Sequence, residues 1–454
     1  MNRSELNASE KVLTSTQRGL LKEKTDTRRR YATSVLKAIL LPILLLVDLT
    51  KRRPEREQRF LIWLFFVVFG FTFILGGDAI RHQWRMEYHF AAMTWGQFLE
   101  DLWRMLTFRV AEYGARDVYN HVISFVFGRA LGLPGLYIPF VAAFYGYFFA
   151  GSVVLILRHM TFRKLNYVLI AFVLLFLFIQ GLQGVQTVRT WTGMWVLVYA
   201  CLQFYETRKL RYLVLMFTPP LFHFGYWLMA IPAWIVLVYG SRPLLYTALV
   251  AISSFTAFLP AQPMTDIIER TERGADSLVW YGVEEQADRL ASFETNLGQT
   301  NWYNAYRKAG IHRWAPTVLV LVLFFSGIYS QAMTFAQRRI FSVGVFTLAF
   351  SNLTWFIYAV HNRTLVIASV FILAGFLMAR FHPKTAKHFR VLPPYYQWGL
   401  HLSLLLWFPL FLFVVSVTFD RLSLFAFFAP FLVMLDPALN VSVKEALNLL
   451  LGRG

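Results

Sequence analysis

The chain has 454 residues, of which 57% are hydrophobic and 18% are aromatic, and its mean hydropathy of +0.50 excludes an ordinary soluble protein. Its net charge of +19 does not indicate nucleic acid as a partner, because the basic clusters stand between apolar runs, where cations meet anionic lipid headgroups. The single cysteine, Cys201, lies in an apolar run, so neither a disulfide nor a thiolate metal cluster is expected.

The N-terminal region, residues 1–59, is polar and basic, with 14 Lys/Arg against 7 Asp/Glu. Its one apolar run, 35–49, contains Pro42 and has a basic cluster on each side. A membrane crossing would leave one of these clusters outside, so we predict a helix that lies on the cytoplasmic leaflet, with a first crossing as the alternative. Residues 60–454 are then the membrane domain.

Long apolar runs recur through the rest of the chain and have the length that a helix needs to cross a bilayer. They are 60–77, 135–157, 165–182, 316–334, 340–360, 364–379 and 397–418. Because unpaired backbone groups are not tolerated in lipid, the runs are predicted to be helices. The predicted fold is an all-α polytopic transmembrane bundle with about 11–13 spans.

Basic clusters at the ends of these runs predict which loops face outward. They place 78–133 and 260–315 on the external side. The same rule requires an odd number of crossings in 212–259, where prolines predict broken or re-entrant half-helices around Pro219–Trp227. A polar external cap is predicted at 361–364, and a last helix is predicted to return near Asp436.

The acidic residues are concentrated in the two external loops, which hold 14 of the 18 carboxylates after residue 60. In the first loop, apolar residues at helical spacing over 94–110 predict an amphipathic helix in the outer interface, and Thr94 with Gln97 resembles a capping box. In the second loop, 265–294 is charged and helical in character. Acids that bind a ligand or transfer a proton are therefore expected in these loops.

Asp78 is the first candidate, because it follows two glycines at the end of the first long run, with Arg81, Arg85 and Tyr88 close behind. An acid at the membrane rim can have a tuned pKa and can accept a proton. The alternative is a helix that ends at a glycine and is followed by a solvated acid.

Two arginines are candidate anion ligands. Arg189 lies in an outward hairpin that is rich in amides and glycine, and Arg363 lies in the predicted cap with His361. A guanidinium suits phosphate because it offers two parallel donors and keeps its charge. The alternative is an arginine that extends to the lipid headgroups.

His223 is an ionisable residue inside an apolar tract, which is typical of a side chain that faces a cavity and can act as base or acid. The alternative is a neutral histidine bonded to a carbonyl. Trp302, Tyr303 and Tyr306 can form an aromatic platform for a sugar, or anchor the chain at the membrane interface.

Several motifs are absent from the sequence. It contains no GxxxxGK[ST] or GxGxxG before a helix, and no HExxH or CxxC. No nucleotide site, no zinc site and no cofactor are therefore expected, and we predict no metal site, although a divalent metal stays open as the alternative.

The order of the polar motifs is informative. Gly77-Asp78 follows the first long run, Arg189 opens a helix that ends at Arg208-Lys209, and Phe222-His223 comes after a further apolar run. Over about residues 60–240 this order resembles the EpsG-like group of bacterial polysaccharide polymerases, of the broader Wzy type. In the family a small hydroxyl residue usually follows the histidine, whereas Phe-Gly-Tyr follows His223 here.

The resemblance implies a multi-pass glycosyltransferase of the bacterial inner membrane that joins polyprenyl-pyrophosphate-linked oligosaccharide repeat units at the outer face. Its partners would be the lipid-linked donor and acceptor, membrane lipids, a flippase and a chain-length regulator. Asp78, or else His223, would accept the proton, with Arg189 also catalytic. The pyrophosphate would be held by Arg81, Arg85, Arg189 and Arg363. The glycan would be contacted by Tyr88, Trp302, Tyr303, Tyr306 and His361.

Two other classes stay open at this point. One is an O-antigen ligase or another polyprenyl-linked glycosyltransferase. The other is a flippase or transporter of lipid-linked oligosaccharides, which should distribute its charges through its spans.

Overall fold

A computed structural model describes residues 15–49, 54–76, 78–109, 111–113, 117–160, 165–256, 301–308 and 310–452. Its regular elements are helices, and among these residues the one β-interaction is an isolated bridge between Ser423 and Ser442. The predicted all-α class is confirmed for this part of the chain. The predicted helix in 265–294, with all eight acids of the second loop, lies outside the described residues.

The helices of the first half are α1 (Ser15–Leu40), α2 (Ile43–Leu49), α3 (Glu55–Phe71), α4 (Asp78–Arg85), α5 (Trp95–Leu106), α6 (Val118–Phe125), α7 (Tyr137–Leu157), α8 (Tyr167–Ile179), α9 (Thr190–Thr207), α10 (Leu210–Met216), α11 (Pro219–Phe222), α12 (Tyr226–Met229), α13 (Ile231–Tyr239) and α14 (Pro243–Ser253). The helices of the second half are α15 (Trp302–Lys308), α16 (Trp314–Phe325), α17 (Phe335–Leu353), α18 (Tyr358–Phe381), α19 (Pro383–Arg390), α20 (Pro394–Arg421), α21 (Phe431–Leu435) and α22 (Val443–Leu450).

Four helical segments of the described residues are long and apolar enough to cross a membrane. They are Pro134–Leu157, Tyr167–Thr187, Ala359–Phe381 and Pro394–Arg421. Shorter apolar helices are also present, and one of them, Pro243–Ser253, packs against α16 and α17. These segments indicate a membrane protein, and the larger number of spans stays a prediction.

The core is built from closely packed helix pairs. Helix α7 lies against α3 and α9, and α17 lies against α18. In the α17–α18 pair, a Cβ atom on Gly344 would stand 2.7 Å from the backbone N of Ile372, and one on Gly375 would stand 2.9 Å from Cα of Phe341. Such close approach of two backbones requires glycine, as in other membrane helix pairs.

The N-terminal apolar run 35–49 forms two helices instead of the single helix that we predicted. Helix α1 ends at Leu40 and α2 begins at Ile43, because Pro42 has no N–H to continue the helical hydrogen bonds. Lys37 on α1 and the buried Asp48 on α2 form an ion pair of 2.6 Å that joins the two helices.

The predicted break around Pro219–Trp227 is confirmed. Helix α11 has prolines at its first two positions, and it ends at His223, whose backbone is extended (φ −152°, ψ 122°). Helix α12 begins three residues later. The break lets the His223 side chain leave the helix surface and point into the protein.

Two predictions for the C-terminal half of the chain are wrong. Residues 361–364 do not cap two helices, because α18 begins at Tyr358 and the Thr364 hydroxyl donates to the carbonyl of Val360 as it would inside a helix. The helix near Asp436, α21, has only five residues. At 1.5 Å per residue it is about 8 Å long and cannot cross a bilayer.

The predicted amphipathic helix of the first loop is confirmed as α5. Thr94 and Gln97 form the capping box, with the Gln97 N–H donating to Oγ1 of Thr94. Phe98 is buried beneath the helix, whereas Trp95 and Trp103 remain exposed. The outer-interface position stays a prediction that this exposed aromatic face favours.

Candidate functional site

Asp117 is the centre of a buried polar cluster. It occupies the N-cap position of α6, where an aspartate normally accepts an N–H of its own helix, but its side chain makes no such bond. Instead, the carboxylate accepts the backbone N–H of Phe224 at 2.6 Å and a guanidinium N–H of Arg189. Its side chain is 1% exposed. The carboxylate is therefore directed at partners from distant parts of the chain rather than at its own helix.

His223 joins Asp117 to Arg363. The Nδ1 atom of His223 lies 3.3 Å from Oδ1 of Asp117, and its Nε2 atom lies 3.2 Å from Nη1 of Arg363. One tautomer satisfies both contacts, with Nδ1–H donating to the carboxylate and the Nε2 lone pair accepting from the guanidinium. The imidazole is then neutral, and Nε2 is the ring atom that can accept a proton.

Arg189 is positioned by an unusual backbone. The preceding residue, Val188, is buried and adopts φ 58° and ψ −53°. A β-branched residue at positive φ costs about 1–3 kcal/mol, and such conformations concentrate at functional sites. Helix α9 starts at Thr190 immediately afterwards, so the strained turn holds Arg189 at the N-terminus of the helix.

The cluster has more positive than negative charge. Burial would raise the pKa of Asp117, but the hydrogen bond from His223, the charge of Arg189 and the Phe224 N–H together hold that pKa below its ordinary value. The carboxylate is therefore ionised and offsets one of the two guanidinium charges. The remaining positive charge favours an anionic ligand beside Arg189, whose side chain is 28% exposed.

A second layer of polar residues supports the cluster. His82 on α4 is buried, and its Nδ1 atom lies 3.3 Å from Nδ2 of Asn120, while the Tyr137 hydroxyl donates to Oδ1 of Asn120 at 2.7 Å. Burial, with the nearby charge of Arg189, lowers the pKa of His82 to about 4. This histidine is neutral near pH 7 and adds no further positive charge next to Arg189.

Three of the predicted site residues, Arg189, His223 and Arg363, meet in this cluster, and Asp78 does not. The Asp78 side chain is 44% exposed and forms an ion pair with Arg81 on the same helix. Arg85 ends that helix, and Tyr88 is exposed with its ring beside Trp84. Asp78, Arg81 and Arg85 lie on α4 with His82, and Tyr88 lies in the π-helical segment Met86–Phe90 that follows.

The predicted glycan-contact residues of the second half have contacts with α15, α17 and α20. The Nδ1 atom of the buried His361 lies 2.9 Å from the carbonyl oxygen of Ser351, which ties α18 to α17. Trp302 and Tyr306 stack edge-to-face on α15, and the Trp302 ring lies 6.4 Å from Phe408 of α20. Tyr303 is on the same helix, where Asn301 donates to its hydroxyl. No structural contact tests a role in sugar binding.

Asp117 is the residue of the candidate site that the sequence alone does not single out. It was one of the 14 acids of the external loops, but an aspartate before a helix reads as an N-cap. The signal that could have identified it is the sequence Asp117-Val-Tyr-Asn120-His121, which puts three more polar side chains at the start of an otherwise apolar helix.

The arrangement can bind an anion and accept a proton, and it offers no clear metal site. In the described part of the chain, no group of three or more His, Cys, Asp or Glu side chains is placed to hold a metal ion. Comparisons with protein-family models, with curated proteins and with solved structures find no match to this chain.

Proposed function

We propose that this protein is an integral membrane glycan polymerase that joins polyprenyl-pyrophosphate-linked oligosaccharide repeat units at the outer face of the bacterial inner membrane. The observation that carries the proposal is the line Asp117–His223–Arg363, in which a buried carboxylate orients a neutral histidine towards a guanidinium. The order of motifs that resembles EpsG-like polymerases supports the same conclusion.

In the proposed reaction, a sugar hydroxyl of the acceptor attacks the anomeric carbon of the donor. A bond forms between the acceptor oxygen and that carbon, and the bond from the carbon to the pyrophosphate oxygen breaks. The hydroxyl proton passes to Nε2 of His223, whose resulting positive charge is stabilised by Asp117. The polyprenyl pyrophosphate leaves with its charge offset by Arg189 and Arg363.

Arg363 has two successive roles in this scheme. Without substrate it donates to Nε2 of His223 at 3.2 Å and so occupies the lone pair of the base. A pyrophosphate carries more negative charge than an imidazole nitrogen, so it attracts the guanidinium when it binds. Binding of the donor thereby exposes Nε2 at the moment when a proton acceptor is needed.

The experiment compares the glycans of a deletion strain that is complemented with one of three variants. The variants are His223→Gln, Arg189→Gln and the control Arg109→Gln, which changes an exposed side chain. We expect glycans with one repeat unit from the first two variants and a normal ladder from the control, with equal amounts of protein in the membrane. Normal ladders from all three would refute the site.

The same profile separates the other functional classes. Loss of every exported lipid-linked glycan in the deletion strain would indicate a flippase, because a polymerase is not needed for single units to reach the outer face. Full ladders that remain on the lipid carrier would indicate a ligase. We expect neither pattern.

A further inference from the structure

A second group of arginines surrounds a cavity of about 460 Å³ that is remote from Asp117. It lies where the end of α13 meets the start of α17. Its lining includes Tyr239, Ser241, Arg242, Phe335, Arg338 and Arg339. Arg208 reaches the same place from the end of α9, with its guanidinium carbon 4.4 Å from the centre of the Phe335 ring.

This cavity and the Asp117 cluster are at opposite ends of α9. Arg189 immediately precedes the helix and Arg208 immediately follows it. The 18 residues between them give a length of about 27 Å. The cavity is therefore a separate site, and its occupancy does not depend on the proposed polymerase chemistry.

Part of the arginine side chains has a structural role. Arg339 donates from Nη1 to the carbonyl of Val236, at the end of α13, and its guanidinium carbon lies 5.0 Å from the centre of the Phe335 ring. Arg338 donates from Nη2 to the carbonyl of Met333 at 3.0 Å. These bonds fix the two guanidinium groups at the cavity wall and use only some of their ten N–H donors.

The remaining donors have no acidic partner among the described residues. No ion pair between Arg208, Arg242, Arg338 or Arg339 and a carboxylate occurs in the part of the chain that the structure describes. The Nε atom of Arg338 is buried, and within the same described residues it has no hydrogen-bond partner. An arginine charge that no carboxylate offsets is costly at a partly buried position, so these side chains favour an anion in the cavity.

The backbone beside the cavity is shaped to keep it open. Gly240 adopts φ +83°, and a Cβ atom there would stand 3.0 Å from Nη2 of Arg339. This left-handed residue turns the chain sharply between α13 and α14, which brings Ser241 over Arg338, where its hydroxyl donates to the Arg338 carbonyl at 3.1 Å.

We propose that this cavity binds a phosphate group. Phosphate is the common biological anion whose several oxygens match the forked donors of clustered arginines, and the volume accommodates one or two phosphates. The group can belong to an anionic lipid headgroup or to a soluble pyrophosphate. Arg242 is exposed at the rim, Arg338 and Arg339 lie at the wall, and together they offset the charge of either ligand.

The test uses the full-length protein in phosphatidylcholine nanodiscs. In one arm, inorganic pyrophosphate is titrated and its binding is measured by calorimetry. In the other arm, the protein is first placed in nanodiscs that also contain phosphatidylglycerol and is then transferred out of them. Native mass spectrometry measures how much phosphatidylglycerol remains bound to the protein. The variants are Arg242→Gln and Arg338→Gln, and the control is Arg390→Gln, an exposed arginine on α19. The Asp117 cluster contributes equally in all of them, so differences report on the cavity.

We expect the parent and the control to bind either pyrophosphate or phosphatidylglycerol. The ligand that binds shows whether the phosphate belongs to a soluble pyrophosphate or to a lipid headgroup. Each cavity variant should bind that ligand about tenfold more weakly, since each removes charge-assisted hydrogen bonds. Arg242→Gln changes an exposed side chain and should leave the melting temperature unchanged. Equal binding by the cavity variants and the control, or no binding of either ligand by the parent, would overturn the proposal.

Discussion

His223 and Asp117 are 106 positions apart in the chain, and Nδ1 of the histidine lies 3.3 Å from Oδ1 of the aspartate. The contact exists because the helix that approaches from residue 210 is broken by prolines, which turns His223 towards α6. The same carboxylate accepts the N–H of Phe224, the next residue after the histidine. Asp117 therefore holds both the side chain and the backbone of the broken segment.

Removal of the Asp117 carboxylate should destabilise the protein as well as inactivate it. Asp117→Ala leaves Arg189 without its anionic partner in a mostly buried site, so we expect a loss of about 3–5 kcal/mol in the free energy of unfolding. Thermal unfolding in detergent measures it. The control is Asp78→Ala, which breaks an exposed ion pair and should cost less than about 1 kcal/mol. Equal losses in both variants would contradict the buried position of Asp117.

His223→Gln should separate catalysis from folding. Glutamine can still donate to Asp117, so the local fold is retained, but it has no basic nitrogen to accept a proton. We expect polymer formation to fall by about 100-fold or more, which is the usual contribution of a general base. The melting temperature should stay close to that of the parent. A variant that polymerises at the normal rate would exclude His223 as the base.

Arg363 should require the shape of its side chain as well as its charge. Arg363→Lys keeps a cation but loses the two parallel donors, so we expect a partial loss of polymer length, and Arg363→Gln should lose nearly all of it. Glycan ladders from matched protein amounts measure this order. If lysine and glutamine were equally inactive, the charge itself would have no role.

His82 should make the protein sensitive to acid. Its pKa in the folded protein is about 4, against about 6.5 in an unfolded chain. Between these values the unfolded state takes up a proton that the folded state does not, so the free energy of unfolding decreases as the pH falls from 6.5 to 4, by up to about 3 kcal/mol. His82→Gln should reduce the dependence of the melting temperature on pH between pH 6.5 and pH 4. The control His89→Gln, which changes an exposed side chain, should show the same slope of melting temperature against pH as the parent. If His82→Gln also kept that slope, His82 would not be the group that makes the protein sensitive to acid.

Hydropathy predicted where most helices lie but not where they stop. The run 316–334 predicts one helix, but α16 ends at Phe325, and Gly327 adopts φ +73° before the π-helical turn Ile328–Ala332. The run 60–77 likewise ends as a helix at Phe71, and the Arg421 guanidinium binds the carbonyl of Leu75. Hydropathy averaged over a long run does not locate such breaks, because a few glycine and hydroxyl residues change the average very little.

The sequence predicts which charged residues form most of the candidate site, but it does not predict how they are arranged in space. Arg189 and Arg363 are predicted because a guanidinium in an outward polar segment suits phosphate, and His223 is predicted because an ionisable residue inside an apolar tract usually faces a cavity or a partner. Their meeting point depends on how α6, α9, α11 and α18 pack, which no local pattern encodes. The sequence favours Asp78 because glycines and arginines surround it, whereas an aspartate before a helix, such as Asp117, is a common N-cap.

The most direct test of the central claim compares two aspartates of the same loop. Asp117→Asn and Asp78→Asn remove the same charge, but only the first acts on the line from Asp117 through His223 to Arg363. With equal amounts of each protein in the membrane of the complemented strain, we predict single repeat units from Asp117→Asn and a full glycan ladder from Asp78→Asn. A full ladder from Asp117→Asn, together with single units from Asp78→Asn, would contradict the account.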